Sequence, residues 1–267
     1  MADNTVYLIT GANKGIGLGL AIVLLARPST TVIGTFRPST APNTPTILAA
    51  LPHHPTSIAV AFPLDEDDAH ISSATVSARL TRALEDAGLT EPPNEPRLDV
   101  VIANAGGATG PFADVTTTDP ADALNDFAVN ALGPLRLFQA CWPLMVNGAG
   151  GREGQKKFVL ITSSVGSIGC LEQESFPSTA YGMSKVAANW LARKASIEFA
   201  SQGLKVGIIH PGWVKTAMGQ ALADAVNVKE PPMTVEDSAK RVLQLVDHLS
   251  AENSGKFVSY DGQPLPW

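Results

Sequence analysis

Two cysteines, Cys141 and Cys170, are too few for a disulfide framework, and each reads as a small buried hydrophobe. No block of lysine and arginine appears anywhere. The net charge is −6 with both signs interspersed, so nucleic acid is not an expected partner. Charged residues make up 16% of the chain against 45% hydrophobic ones, a balance that argues against disorder. No cysteine/histidine cluster has metal-ligand spacing, and no metal is expected. His53 and His54 fall in a proline-rich loop, and His70 and His248 in helical patterns, where all four read as surface or helix-face residues. The longest apolar run, Leu18–Ala26, is too short for a bilayer, which needs about 20 residues. Only "MADN" precedes the first strand-like run, leaving no room for a targeting segment, and "PLPW" at the end is no sorting signal. The expectation is a cytoplasmic protein without membrane contact.

What is present is an alternation. Strand-like "TVYLIT", "TTVIGTF", "SIAVAF", "LDVVIANA", "KKFVLITSS", "LKVGIIH" and "GKFVSYD" are separated by loops and helical patterns. The helical segments include "KGIGLGLAIVLLAR", "DEDDAHISSATVSARLTRALEDAG" with acids in its first turn, one long helix "DPADALNDFAVNALGPLRLFQACW", a helix from about 180 to 202, and "VEDSAKRVLQLVDHL". Near-continuous apolar strands, each followed by a helix, imply a parallel sheet covered on both faces. Right-handed crossovers then give a doubly wound α/β fold of about seven strands. The 267 residues suffice for one large core, and no boundary divides them, so 1–267 reads as a single domain. "RPSTAPNTPTILAALPHHP" and "LTEPPNEPR" read as surface loops.

The turn "TGANKGIG" (10–17) joins the first strand to the first helix and spaces Gly11, Gly15 and Gly17 as GxxxGxG. Glycines there let backbone N–H groups approach a pyrophosphate at a helix N-terminus. Glycines also serve ordinary βα turns, but this one opens an alternating α/β pattern, which favours a dinucleotide-binding, Rossmann-type domain. A site for NAD places Asp or Glu at the end of the second strand. Here Phe36 holds that position, Arg37 follows, and Lys14 lies inside the glycine loop. Two cations without an acid suit a 2′-phosphate and favour NADP(H), although either alone would read as a solvated loop charge.

In "YGMSK", Tyr181 and Lys185 stand at i, i+4 on one helix face. A phenol titrates near 10, and a neighbouring ammonium is expected to lower that value and make the phenol a usable acid. The same spacing is common on ordinary helix surfaces. Upstream, "ITSSVGSIG" ends a strand in Ser163, Ser164 and Ser167, any of which could donate to a carbonyl oxygen or simply terminate the strand.

Together these motifs resemble the short-chain dehydrogenase/reductases of compact, single-domain type. The matching residues are "TGANKGIG", "LD" at 64–65, "ANAG" (103–106), "VN" at 129–130, "SSVGS" (163–167), "YGMSK" and "PGWVKT" (211–216), in the family's order along nearly the whole chain. The resemblance implies Asn130, Ser164, Tyr181 and Lys185 as the catalytic set. Ser164 would polarise a carbonyl and Tyr181 would protonate it. Lys185 would tune the phenol and hold the nicotinamide ribose, and Asn130 would anchor a water. It further implies cofactor contacts at Gly11, Asn13, Lys14, Gly15, Ile16, Gly17, Arg37, Asp65 (adenine), Asn104, Ala105, Gly106, Tyr181, Lys185, Pro211, Gly212, Val214 and Thr216. Two departures stand out. Ala103 replaces the first Asn of the usual "NNAG", and the segment "CLEQESFPST" lengthens the serine-to-tyrosine interval, forming a loop near the pocket.

The implied reaction is hydride transfer from NADPH to a ketone or aldehyde, without metal. Residues 217–234 fall where the family places a substrate lid, and their apolar content suggests an apolar pocket. Trp267 is either a packing aromatic or part of a tail bordering that pocket. The opening and ending resemble the fungal norsolorinic acid ketoreductase-like branch, implying a bulky, flat or apolar carbonyl compound. Alternatives are an NADP-dependent alcohol dehydrogenase or broad detoxifying carbonyl reductase, and a non-catalytic NADP(H) sensor. The resemblance implies homodimers or homotetramers formed through helices at about 121–142 and 180–202. Trp142 and Trp190 in these helices read either as interface aromatics or, by preference, as ordinary core packing.

Overall fold

Each apolar run becomes a strand because helices cover it from both sides. The computed structural model describes residues 4–64, 72–89, 96–146 and 156–267. Its strands are β1 (Thr5–Ile9), β2 (Thr30–Phe36), β3 (Ile58–Pro63), β4 (Val100–Ala103), β5 (Lys157–Ile161), β6 (Lys205–His210) and β7 (Phe257–Ser259). They form one seven-stranded sheet in the order β3-β2-β1-β4-β5-β6-β7, parallel throughout. The order reverses between β1 and β4, which opens a crevice at the C-terminal edge of the sheet.

The helices are α1 (Gly15–Leu25), α2 (Thr44–Ala49), α3 (Ser73–Asp86), α4 (Pro120–Phe127), α5 (Gly133–Val146), α6 (Thr179–Glu198), α7 (Ala217–Ala225) and α8 (Val235–Asp247). Successive strand residues feed opposite cores. Ile9, Val32 and Ile102 pack with Leu20 and Leu24 of α1 and Val242 and Leu243 of α8. Leu8, Ile33, Val101 and Phe158 pack with Leu80 of α3, Leu137 of α5 and Ala188 of α6. That period of two, with both faces apolar, is why the strands read as continuous hydrophobic runs.

Four expectations change. First, the proline-rich stretch after β2 contains a short helix, α2, whose Leu48 is buried. Second, α3 starts at Ser73, capped by the Ser72 hydroxyl accepting from the Thr75 N–H at 3.1 Å. Its first turn carries no acid, and Asp65, His70 and the remaining residues of 65–71 lie outside the described residues. Third, the long helix at 119–142 is two helices joined by a π-turn at Ala128–Leu132. Pro134 has no N–H to give the Asn130 carbonyl four residues back, and the Gly133 N–H reaches back five residues to Ala128. Fourth, Trp142 packs in an aromatic cluster with Phe138 and Phe199, but Trp190 is 67% exposed.

Cys141 is fully buried and Cys170 half-buried, and both are free. Among the described residues, no group of three His, Cys, Asp or Glu side chains could hold a metal ion. None of their helices is long and apolar enough to cross a membrane.

Asp99 stitches the sheet at the edge opposite the crevice. Its Oδ2 accepts from the Val6 N–H (2.8 Å), its carbonyl accepts from the Lys157 N–H, and Arg97 lies 3.4 Å from Oδ1. Asp99→Ala strands a buried donor on β1. Chemical denaturation is expected to show a loss of about 1–3 kcal/mol, with turnover per folded molecule unchanged.

Candidate active site

The crevice begins where β1 stops. Thr10 is buried, and its hydroxyl oxygen accepts the N–H groups of Asn104 and Ala105, each at 3.0 Å. Asn104 Nδ2 donates back to the Thr10 carbonyl at 2.9 Å. The segment after β4 is thereby locked to the glycine turn, so the two loops flanking the switch point act as one wall. Gly11 and Gly15 adopt left-handed φ of 67° and 54°. Gly17 has no room for a side chain: a Cβ would overlap the Gly11 carbonyl and lie 2.6 Å from Asn104 Nδ2. The first turn of α1 has neither an acidic residue nor a side-chain cap, which suits an anion at its N-terminus. Lys14 and Arg37 are exposed on either side, while Phe36 is buried where an acid would hold ribose hydroxyls. The residues present therefore fit a dinucleotide. Asn13 and Ile16 share this turn, and Asp65 lies outside the described residues.

The candidate catalytic side chains meet where α6 begins. Tyr181 lies in its first turn and Lys185 one turn on, with only 3% of Lys185 exposed. The Lys185 ammonium donates to the Ile161 carbonyl at the end of β5 (3.1 Å) and lies 5.5 Å from the centre of the Tyr181 ring. Part of the Tyr181 residue stays accessible, yet burial of its phenol pushes the pKa above the ordinary value of 10. The Ser163 hydroxyl, hydrogen-bonded to the phenol, works the other way, and the Asp126 carboxylate raises the pKa further. The expected lowering by Lys185 is thus corrected: burial dominates, and the ammonium sits over the ring while bonding a carbonyl. The phenol is held protonated.

The three candidate serines separate in space. Ser164 opens a 3₁₀ turn (Ser164–Gly166) and is buried, and the hydroxyl that reaches Tyr181 belongs to Ser163. Ser163 keeps extended backbone angles, φ −150° and ψ 149°, and so continues β5 toward the crevice. Ser167 is turned away, donating to the Pro266 carbonyl at 2.6 Å.

Asn130, fully buried in the π-turn, exchanges two hydrogen bonds with the Gly107 backbone (2.9 and 2.8 Å). It also donates to Ser184 Oγ at 2.9 Å, which donates in turn to the Tyr181 carbonyl. Its Oδ1 and the Lys185 ammonium converge on Gly106, where a Cβ would lie 2.7 and 3.3 Å from them. The fourth expected catalytic position therefore braces the α6 turn that carries the phenol.

Beyond β6, Gly212 has φ 88° and the chain pairs with itself. Lys215 N–H donates to the Met233 carbonyl and Met233 N–H to that of Trp213, closing the base of 217–234. Val214 is buried, and Thr216 caps α7 through its hydroxyl. The Pro211 carbonyl accepts from Ser238 of α8.

The profile described as short chain dehydrogenase matches residues 5–227. The chain belongs to that family. It is 34% identical over 273 residues to short-chain dehydrogenase srdF of Neurospora crassa, covering 100% of this chain and 99% of that one. It is 36% identical over 272 residues to norsolorinic acid ketoreductase nor1 of Dothistroma septosporum, covering 100% and 94%. Among solved structures, NADPH-bound carbonyl reductase from chicken fatty liver superposes with a TM-score of 0.79 at 27% identity, covering 99% and 94%.

Two residues of this short-chain dehydrogenase escaped the sequence reading. His210, the last residue of β6, accepts the Ser164 N–H on Nδ1 at 3.1 Å, and its only sequence signal was a histidine ending an apolar strand before Pro-Gly. Asp126 is buried and bound by the Thr109 N–H and hydroxyl (2.7 and 2.8 Å); its one signal was an acid a helical turn before Asn130. Gly106→Ala would drive a methyl between Asn130 and Lys185. Titration is expected to show nicotinamide dinucleotide affinity falling by about tenfold or more, an overpacking cost of roughly 1–3 kcal/mol.

Proposed function

We propose that this dehydrogenase is an NADPH-dependent ketoreductase for bulky apolar or aromatic carbonyl compounds, working in the cytoplasm. The observation that carries the reading is the arrangement itself: the Tyr181 phenol hydrogen-bonded to Ser163, with the buried Lys185 ammonium 5.5 Å from its ring centre. A nicotinamide, when bound, supplies the hydride. The two hydroxyls bind the carbonyl oxygen, where developing negative charge is stabilised by donors already in place. Tyr181 then gives its proton to that oxygen, general acid catalysis worth about 10²–10⁴ in rate. Lys185 lends the phenol positive charge as it loses that proton. Asn130 holds the α6 turn in register through Ser184, and its main-chain carbonyl, denied its helical donor by Pro134, is the group that would anchor a water.

The glycine turn, Asn104 to Gly106 and Pro211 to Thr216 would line the dinucleotide. Arg37 and Lys14, with no acid at Phe36, support the 2′-phosphate form. The whole chain serves as one domain, with 217–234 as its lid. Phe176, in the loop between Ser163 and α6, meets Trp213 at the lid base edge to face (5.7 Å), a pair that suits a flat apolar substrate. Several relatives carry the name norsolorinic acid ketoreductase. Both cysteines are free, in keeping with a reducing compartment.

The chain would act as a dimer. Met183, Trp190 and Ile197 recur every seven residues along α6 and are 61%, 67% and 60% exposed, beside Leu124 and Phe127 of α4. Such a stripe marks an interface. Trp190→Glu is expected to yield monomers by light scattering.

Tyr181→Phe should cut kcat by about 10²–10⁴ while the Kd for NADPH stays within roughly threefold, since the ring and Lys185 remain. Near wild-type turnover would end the enzymatic reading. Arg37→Glu should weaken NADPH far more than NADH; equal losses would remove the 2′-phosphate assignment. Comparing turnover on a polycyclic aromatic ketone with that on simple aldehydes tests the substrate class.

A further inference from the structure

The rung that ends the β5–β6 ladder is the Thr162 N–H donating to the Ile209 carbonyl at 2.9 Å. The next inward donor on the β5 side is the Ser164 N–H. On the β6 side the main chain has reached Pro211 and leaves the sheet, and the imidazole of His210 takes its place. Strand alternation from Ile208 puts His210 on the α6 side of the sheet, the side that carries Tyr181 and Lys185.

The peptide between Ser163 and Ser164 is where the chain changes from extended to 3₁₀ geometry. Its tilt fixes the direction in which the Ser163 hydroxyl leaves the backbone. The rest of the turn is held from other directions. Asn189 accepts from the Thr162 hydroxyl (2.6 Å) and donates to the Gly166 carbonyl (3.0 Å). Pro266 and Trp267 accept from the Ser167 hydroxyl and the Gly169 N–H. None of these bonds touches the Ser163–Ser164 peptide; its carbonyl accepts the Gly166 N–H from within the turn (3.0 Å), and its N–H is held from outside the turn by His210.

We propose that His210 is a positioning residue for the reaction, accepting the Ser164 N–H so that the adjoining Ser163 hydroxyl is aimed at Tyr181 and the carbonyl oxygen. The assignment rests on the ketoreductase reading for its catalytic consequence, and on geometry alone for the bond. Acceptance at Nδ1 requires the neutral ring with its proton on Nε2. Burial lowers the His210 pKa to about 4, against the opposing charge of Asp261, so the ring is an acceptor at neutral pH. The Tyr260 ring, tilted 6.5 Å away, flanks it.

The test compares His210→Leu, His210→Gln and His210→Asn, each in the wild-type and Ser163→Ala backgrounds. Asn keeps an acceptor at the position of Nδ1, Gln moves it one bond outward, and Leu removes it. Steady-state kinetics with NADPH and a ketone are paired with hydrogen exchange at the Ser164 amide. Leu and Gln are expected to lower kcat by about 10–100-fold, the scale of an ångström's misplacement, with KM for NADPH within about threefold. Asn should restore kcat to within about threefold of wild type. With Ser163 already Ala, the Leu change should cost under about twofold, because residues acting as a unit are non-additive. Exchange at Ser164 should accelerate in Leu and Gln and return to normal in Asn. Should Leu fail to fold, Gln against Asn decides. The proposal is overturned by full kcat in Gln or Leu, by Asn faring no better than Gln, or by equal losses in both backgrounds. Wild-type turnover in Ser163→Ala alone would instead remove Ser163 from the ketoreductase reading, and Ser164 exchange would still report on the His210 bond.

Discussion

The Lys185 ammonium donates to the Ile161 carbonyl, and through that bond the first turns of α6 are seated on the end of β5. The geometry of the candidate site depends on that seat. It puts the phenol of Tyr181 beside the serine that β5 projects, although the two residues belong to different elements and a long loop separates them in sequence. A buried ammonium is costly unless it is hydrogen-bonded. Here the carbonyl is one that β5 offers at its last residue, where the sheet ladder no longer needs it. The strand end therefore satisfies the lysine, and the lysine fixes the helix.

The sheet was readable because its strands are covered on both faces, and seven apolar runs became seven strands with small shifts at their ends. Glycine spacing likewise marked a turn whose tightness is real: the packing of Gly17 against Gly11 and Asn104 leaves no space for a methyl. What the sequence hid were effects of neighbours distant along the chain. The pattern at 119–142 is helical on both sides of Asn130, and only the missing N–H of Pro134 turns its centre into a π-turn. Two serines side by side cannot be told apart by type; one extends the strand and the other begins a turn, and that choice belongs to the backbone. Trp190 reads as core by residue type, yet α6 turns it outward, in line with Met183 and Ile197.

Acidity was the subtlest case. Four residues apart on a helix, an ammonium and a phenol suggest a lowered pKa. Yet the ammonium faces the ring and bonds a carbonyl, while packing removes water from the phenol. Desolvation opposes the charged form of any acid, and in this enclosure it outweighs the hydrogen bond from Ser163.

Asp126 acts in the same direction for a separate reason. It sits one helical turn before Asn130, 1% exposed, with the Thr109 N–H and hydroxyl holding one carboxylate oxygen. Its negative charge disfavours a phenolate at Tyr181. One short stretch of chain thus contributes twice: Asn130 braces the helix turn beneath the phenol, and Asp126 helps keep the proton on it. A protonated phenol is the form that can deliver a proton to a developing alkoxide, whereas taking one from an alcohol requires the phenolate that burial and Asp126 both oppose. Exclusion of water and a nearby carboxylate therefore act on the same proton by separate means, one through desolvation and the other through charge.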